Sequence, residues 1–477
     1  MNNKLFIKIS VLITVFFTWI DILLNFTMHV NQMFLVFSLI FIIYYVLKNK
    51  ITIKTIIADY TKNRINKYIL ILLNLYILYD LITIIYSPVK MYALSKYIII
   101  IQMYVLFLVI YYSSQKKQYI YELFLTIGIG SLGLAIISFL AYFGIIPIYV
   151  PSIEKISLLS DYNVATTTIL IGIIILFAII SKILDKKMYG KFNIYISLIC
   201  ILAIPVIFNG GSKRAVLLLG FDLVVLLLYY IFKLYSMKKI NIKSISVIIF
   251  SILISVMVTA KVNELVIKVS NGEKVIEYKV KPNNKENDQS DKNSKNDLNI
   301  DSSKSGYSIN NAYKTIYKGG ALSKRRIIWD IAFKDISKYK LKDILIGKGA
   351  GYSSYIYSNI YQENIQQLYK NKKEVKLGGN HPHNCFMIDI LDGGIIKLLL
   401  GLGIWSLILF EIIKIFKLDK TLGVILFTAF TTIFCNNMIS GRFGYIYDKA
   451  FWIFIALCMA SINVLNHNER EKYENGI

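Results

Sequence analysis

Proline, cysteine and charged residues are scarce in this chain of 477 residues. Six prolines fit long, uninterrupted helices. Four cysteines without any CxxC pair indicate neither a disulfide framework nor a zinc site. Charged residues make up only 17% and apolar residues 56% of the chain, whereas soluble domains carry about 25% and 45–50%. This composition excludes an ordinary soluble globular protein.

The apolar residues are concentrated in runs of about 17–25 residues, the length that crosses about 30 Å of hydrocarbon as a helix. In lipid each segment must satisfy its own backbone hydrogen bonds, so these runs predict helices. We expect an all-α, polytopic integral membrane protein with about twelve transmembrane helices. No cleavable signal peptide is evident. The predicted spans are 5–26, 31–47, 68–86, 97–112, 123–146, 164–181, 193–208, 215–233, 245–260, 394–416, 421–438 and 448–465.

The net charge of +25 lies mainly in short loops, where lysine and arginine set membrane topology, so it does not indicate nucleic acid. Every second loop is rich in lysine, and the loops between them are poor in it. This alternation predicts that both termini are cytoplasmic. The basic clusters that define it include Lys4, Lys8, Lys48, Lys50, Lys182, Lys186, Lys233, Lys238, Lys414, Lys417 and Lys420.

The same topology predicts four regions. Residues 1–260 hold spans one to nine, residues 261–393 form one large extracytoplasmic loop, 394–465 hold the last three spans, and 466–477 form a cytoplasmic tail. Within the loop, residues 281–311 have almost no apolar side chains and predict a disordered insertion. Apolar residues at helical spacing predict an amphipathic helix over 322–339.

Two of the four histidines, His381 and His383, lie together just before the tenth span. An imidazole held at the outer interface has a pKa range suited to a general base. The alternatives are a solvated loop residue or a metal ligand, although no third ligand stands at helical spacing. His29 and His467 stand alone in an outer loop and in the tail.

Arginine is rare, with only six among the 54 basic residues, and four of the six are predicted to lie outside. Arg214 opens the eighth span, and Arg325 and Arg326 belong to the amphipathic helix. A planar guanidinium binds phosphate through two parallel hydrogen bonds, whereas lysine would serve solubility equally well. These arginines therefore indicate a ligand that carries diphosphate. The alternative for each is an interfacial side chain that extends to the headgroups.

Residues 160–416 resemble the O-antigen ligase and O-antigen polymerase family of bacterial membrane glycosyltransferases. Five pieces occur in the family's order: DYN at 161–163, GGSKRAVLLL at 210–219, KRRIIWDIAFKDI at 324–336, LIGKGAGY at 345–352, and HPHNCFMIDILDGG from 381. The chain departs from the pattern at Tyr162, which replaces proline, at an isoleucine after the glycine pair, and in the insertion. Counting back four residues from Trp329 matches the family arginine to Arg325.

The resemblance implies a GT-C-like, metal-independent, inverting glycosyltransferase in the cytoplasmic membrane of a bacterium, with an extracytoplasmic active site. It implies His383 as the base and Arg214 and Arg325, with Arg326 beside it, as ligands of the donor diphosphate. It implies no cofactor. The supporting residues are Asn384, Asn163, Asp161, Trp329 and His381.

The implied reaction joins undecaprenyl-diphosphate-linked repeat units of a capsule, exopolysaccharide or O-antigen. Its partners would be the lipid-linked donor, a glycan acceptor and membrane lipid, together with chain-length regulator and flippase proteins. A ligase that moves finished glycan to lipid A core or another acceptor shares the same donor chemistry and stays open. A flippase or other transporter would need charged residues inside the spans. Asp21, Asp80 and Asp222 are candidates, and no partner is evident for them in the sequence.

Overall fold

The computed structural model describes residues 3–20, 36, 40, 43, 63–148, 150, 155–158, 162–182, 188–236, 242–270, 320–368, 376–378, 380–439 and 448–474. Across these residues the chain is 86% helical and contains no strand. Ten helices within the described residues are long and apolar enough to cross a membrane. The prediction of an all-helical chain with many membrane-length helices is therefore confirmed, as expected of a polytopic membrane protein.

Fifteen α-helices and one short π-helical segment occur in the described residues. In chain order they are α1 (Asn3–Ile20), α2 (Arg64–Ile85), α3 (Lys90–Ser113), α4 (Lys117–Tyr142), α5 (Tyr162–Ile180), α6 (Tyr189–Asn209), α7 (Lys213–Ser236), α8 (Ile242–Ser270), α9 (Gly320–Ile336), α10 (Leu341–Ile346), α11 (Tyr352–Tyr355), the π-helical segment (Ile356–Ile360), α12 (Gln362–Leu368), α13 (Cys385–Leu418), α14 (Lys420–Ile439) and α15 (Lys449–Glu474).

The ten candidate spans lie in α2–α8 and α13–α15 and overlap ten of the twelve predicted spans. Helix α1 covers part of the first predicted span. The second, at 31–47, lies outside the described residues except at positions 36, 40 and 43. Several helices run past the predicted boundaries. The largest extensions are those of α8, which continues to Ser270, of α15, which continues to Glu474 beyond the start of the predicted tail, and of α13, which begins at Cys385 inside the predicted loop.

Helix α5 occupies the centre of the bundle and packs against α4, α6, α7 and α14. Small residues allow the close approach of α4 and α5: a Cβ on Gly172 would lie 2.0 Å from the Ser131 hydroxyl, and one on Gly128 would lie 2.5 Å from Leu176. The Ser131 hydroxyl donates to the Thr168 carbonyl at 2.9 Å. Close backbone approach through small residues is a main source of helix association in membranes.

A second, smaller core lies between α9 and the start of α13. Of the five apolar positions that predict the amphipathic helix, Ile328, Ile331 and Ala332 are buried in it, whereas Ile327 is 43% exposed. The other buried members are Tyr339, Tyr352, Ile356, Tyr357, Tyr361, Ile365 and Leu391. This tyrosine-rich core holds the described part of the large predicted loop against α13.

The lysine-rich ends of several helices lie together at one end of the bundle, which we call the lysine end. Lys117 lies 2.6 Å from Asp419, and the Lys182 ammonium lies over the Tyr121 ring, which itself hydrogen bonds to Asp419. Lys233 donates to Ser181 at 3.4 Å. Helices α5, α7 and α13 therefore all begin at the opposite end.

Candidate functional site

The segment His381–Pro382–His383–Asn384 leads directly into α13. Asn384 caps this helix, because its Oδ1 accepts hydrogen bonds from the backbone N–H groups of Phe386 and Met387 at 2.9 and 3.1 Å. Its Nδ2 donates to the Met438 carbonyl at 3.1 Å. The segment is thus tied both to its own helix and to the last turn of α14.

His383 adopts φ +55°, and no other non-glycine residue in the described part of the chain has a positive φ. Such a conformation costs on the order of 1–3 kcal/mol and persists only where its surroundings hold it. The backbone N–H of His383 donates to Nδ1 of His381 at 3.1 Å, and the two ring centroids lie 4.3 Å apart. His381 is buried and His383 is half-buried, so His381 supports the strained residue and His383 keeps access to the surface.

Trp329 of α9 contacts the same segment, because its indole N–H donates to the Pro382 carbonyl at 2.8 Å. Arg325 lies four residues earlier and therefore one turn away on the same face of the helix. It is partly buried. The side chain of the adjacent Arg326 is 86% exposed and lies 4.0 Å from Asp330. The structure thus separates two neighbouring arginines, and only Arg325 is on the Trp329 side.

Asn163 and Arg214 each occupy the second position of a helix, in α5 and α7. The turn before α7 packs on the first turns of α5: the Thr166 hydroxyl lies 3.4 Å from the Gly210 carbonyl, and Gly211 adopts φ +85°. Helices α5, α7 and α13 all begin at this end of the bundle, opposite the lysine end. Helix dipoles and free backbone N–H groups at helix N-termini favour an anion.

Helix α14 links these pieces. Asn436 donates to the Thr167 hydroxyl at 2.9 Å, one turn after Asn163, and Met438 accepts from Asn384. The described contacts therefore run from the Asn163 helix through the end of α14 to the histidine segment. The remaining predicted site residue, Asp161, lies outside the described residues.

The glycine-rich turn between α10 and α11 wraps around one buried carboxylate, Asp392. The N–H groups of Gly351 and Ser353 donate to its two oxygens at 3.1 and 2.6 Å. Gly347 and Gly394 face each other in nearly the same conformation, with φ near +70° and ψ near −165°. A Cβ on Gly347 would lie 2.5 Å from the Gly393 backbone nitrogen, and one on Gly394 would lie 2.4 Å from the Leu345 carbonyl oxygen. The turn is therefore a docking element for α13 and not a free phosphate cradle.

A cavity of about 470 Å³ lies between this turn, the start of α3 and the histidine segment. Its wall combines an aromatic ring with polar groups from Tyr92, Lys96, Ser354, His381 and Asp392. His381, and not His383, lines this cavity. Its volume lies within the usual range for small-molecule sites.

Three buried polar contacts inside the bundle were not predicted from the sequence. The Lys397 ammonium forms an ion pair with Asp80, and both side chains are almost fully buried. Thr432 donates to Asp222 at 2.9 Å. Tyr76 donates to Asp389 at 2.5 Å. The expectation that Asp80 and Asp222 lack partners was wrong, because their partners are more than 200 residues away in the chain. In the sequence, the position of Lys397 inside the tenth predicted span was the one feature that indicated a buried partner for an acidic residue.

Outside the membrane-length helices, burial raises the pKa of Tyr352, and the neighbouring Asp335 carboxylate raises it further. This phenol donates to Asp335 at 3.0 Å. It therefore remains a neutral donor and stabilises the tyrosine-rich core next to the site.

No protein-family model matches this chain, and no curated protein matches it.

Proposed function

We propose that the protein is a metal-independent, inverting glycosyltransferase that polymerises undecaprenyl-diphosphate-linked repeat units on the outer face of the bacterial cytoplasmic membrane. One observation carries the proposal. The only non-glycine residue with positive φ among the described residues is His383, and it is held by His381, Asn384 and the Trp329 helix. Strained backbone of this kind clusters at functional sites.

In the proposed reaction, His383 removes the proton from an acceptor sugar hydroxyl. The oxygen attacks the anomeric carbon of the lipid-linked donor, and the bond from that carbon to the diphosphate breaks with inversion. Arg325 and Arg214 stabilise the negative charge that develops on the departing diphosphate. The clustered N-terminal ends of α5, α7 and α13 support the same role, because their dipoles favour an anion at this end of the bundle.

The cavity beside His381 supports a sugar as the substrate. Its polar wall offers hydrogen-bond partners, and the Tyr92 ring offers a face for a pyranose. The resemblance to the O-antigen ligase and polymerase family points to the same chemistry, since the positions of His383, Arg214 and Arg325 match its motifs.

The test is transfer of a lipid-linked repeat unit by purified protein. His383→Ala should abolish polymer formation, because no base then takes the acceptor proton. His381→Ala should leave measurable activity, because it removes support for the strained residue and not the base itself. Size-exclusion elution and thermal unfolding would show that both variants remain folded. Substantial polymer from His383→Ala would refute the assignment, and complete loss in His381→Ala alone would transfer the role to His381.

A transporter is the second candidate, and the buried Asp80–Lys397 pair favours it, since intramembrane charges often mark transport pathways. Detergent-solubilised protein separates the two functions. A glycosyltransferase should still form the glycosidic bond in micelles, where no membrane separates two compartments. A transporter should form none.

A further inference from the structure

An apolar groove lies at the lysine end of the bundle, far from the histidine segment. It has a volume of about 900 Å³ and runs between the C-terminal half of α7 and the helices α13 and α14. Its walls are aliphatic and aromatic and include Leu228 and Phe232, which are 61% and 51% exposed, and Phe416. At bilayer depth such a groove contacts lipid chains and not water.

Two lysines stand at the mouth of this groove, Lys417 at the end of α13 and Lys420 at the start of α14. The Lys420 ammonium lies 4.3 Å from the centroid of the Phe232 ring, so the charge sits at the edge of the apolar wall. Neither lysine takes part in an ion pair within the described part of the chain.

The one carboxylate between these lysines is engaged elsewhere. Asp419 lies 2.6 Å from Lys117 and accepts hydrogen bonds from the Tyr121 hydroxyl and the Leu422 N–H, each at about 3.0 Å. It does not line the groove. The mouth therefore presents two positive charges beside an apolar groove. The charges match an anionic headgroup, and the groove matches an acyl chain.

We propose that this groove is a binding site for an anionic phospholipid of the leaflet at the lysine end. An acyl chain lies between Leu228, Phe232 and Phe416, and the phosphate lies on Lys417 and Lys420. Basic pockets between transmembrane helices bind anionic headgroups in this way. The polyprenyl diphosphate donor does not fit here, because Arg214 begins α7 at the other end, about one hydrocarbon thickness away.

The experiment is a native mass-spectrometry titration of the purified full chain with phosphatidylglycerol and, separately, with phosphatidylcholine. The wild-type protein should retain phosphatidylglycerol more tightly. The double variant Lys417→Gln/Lys420→Gln should weaken this binding by about 25-fold, at roughly fivefold for each lysine near a headgroup. The charge-preserving variant Lys417→Arg/Lys420→Arg should retain it.

Lys414→Gln is the matched control, because this lysine is exposed on the same helix but does not line the groove. It should leave binding unchanged. Leu228→Trp should reduce binding by filling the groove while both lysines remain. Equal retention of the two lipids by the wild-type protein would overturn the proposal. So would a loss in Lys414→Gln as large as that in the double glutamine variant, since the effect would then be one of general surface charge.

Discussion

The two halves of α13 meet very different surroundings, although a single 34-residue apolar helix contains both. Its first half begins at the histidine segment and carries buried Asp389, Asp392 and Lys397, each with a partner from another helix or turn. Its second half packs mainly through Trp405, Ile408 and Ile412 and ends at the lysine-fringed groove. Its one buried carboxyl, Glu411, lies 3.8 Å from the Cys458 thiol.

The difference shows where polar groups are tolerated in an apolar segment. Each polar side chain of the first half is removed from lipid by α2 or by the glycine-rich turn, so it finds a partner inside the protein. Apart from Ser406, the exposed side chains of the second half are apolar as far as Phe410, and the lysines appear only at its end. We expect substitutions in the first half to disturb folding or catalysis, and comparable substitutions in the second half to have small effects.

The largest effect should come from separating Asp80 and Lys397. Removing one partner leaves an uncompensated buried charge, which costs about 3–5 kcal/mol. Lys397→Met or Asp80→Leu alone should therefore greatly lower the yield of monodisperse protein and its thermal unfolding temperature. The double variant Asp80→Leu/Lys397→Met should recover most of the loss, because neither charge of this pair is then left buried without the other.

Glu411→Gln provides the control for this pair in the second half, since its partner is a thiol and not a charge. It should lower the unfolding temperature by much less. If Glu411→Gln were as damaging as Lys397→Met, the contrast between the halves would fail. If the double variant were no better than the single ones, the ion pair would not explain the loss.

The next effect concerns the two adjacent arginines of α9. Arg325→Lys should lower the transfer rate by about 10- to 100-fold, because an ammonium keeps the charge but loses the two parallel hydrogen bonds to phosphate. Arg326→Lys should leave the rate nearly unchanged, because that side chain extends into solvent. Equal effects of the two variants on polymer yield would show that the Trp329 contact does not select Arg325.

A smaller effect is expected at the glycine kink of α13. Gly394→Ala places a Cβ about 2.4 Å from the Leu345 carbonyl, in a conformation nearly restricted to glycine, and should cost about 1–3 kcal/mol. Gly403→Ala in the second half meets only the end of the Leu72 side chain at 3.0 Å and should change stability by less than about 1 kcal/mol. Thermal unfolding of the two variants in the same detergent would compare them directly. A similar loss in both would argue against a kink-specific strain.

Hydropathy was sufficient to predict the helical class, because a membrane-length apolar run leaves helix as the simplest way to satisfy its backbone. The glycine pair at 393–394 was visible in the sequence. The contact between Gly394 and Gly347 could not be predicted, since it depends on how α10 packs against α13. The Asp80–Lys397 pair was missed for the same reason: its members are over 300 residues apart, and the contact exists only after α2 and α13 pack.

The candidate site was partly predictable. Counting from Trp329 selected Arg325 as the family arginine. The structure shows Arg325 partly buried and the Arg326 side chain 86% exposed, and the role of either in binding diphosphate stays a prediction. The positive φ of His383 and the supporting hydrogen bond from its N–H to His381 could not be read from residue order. They depend on Asn384 and Trp329 fixing both sides of the segment at once.

The smallest effect should come from residues 281–311, which lie outside the described residues and which the sequence predicts to be a dispensable insertion. They contain one aromatic residue, Tyr307, so they offer little apolar surface to offset the entropy of ordering. A deletion that joins Val280 to Asn311 still leaves about 19 residues between α8 and α9, a reach of up to roughly 65 Å. Helix α9 and the tyrosine-rich core should then assemble as before, and transfer activity should stay within about twofold of the wild-type rate. Added protease should cut this segment first in intact cells if it faces outward. Cleavage only after lysis would reverse the predicted orientation and with it the extracytoplasmic reaction. Loss of transfer in an inserted, folded deletion variant would instead show that the segment contacts acceptor or product.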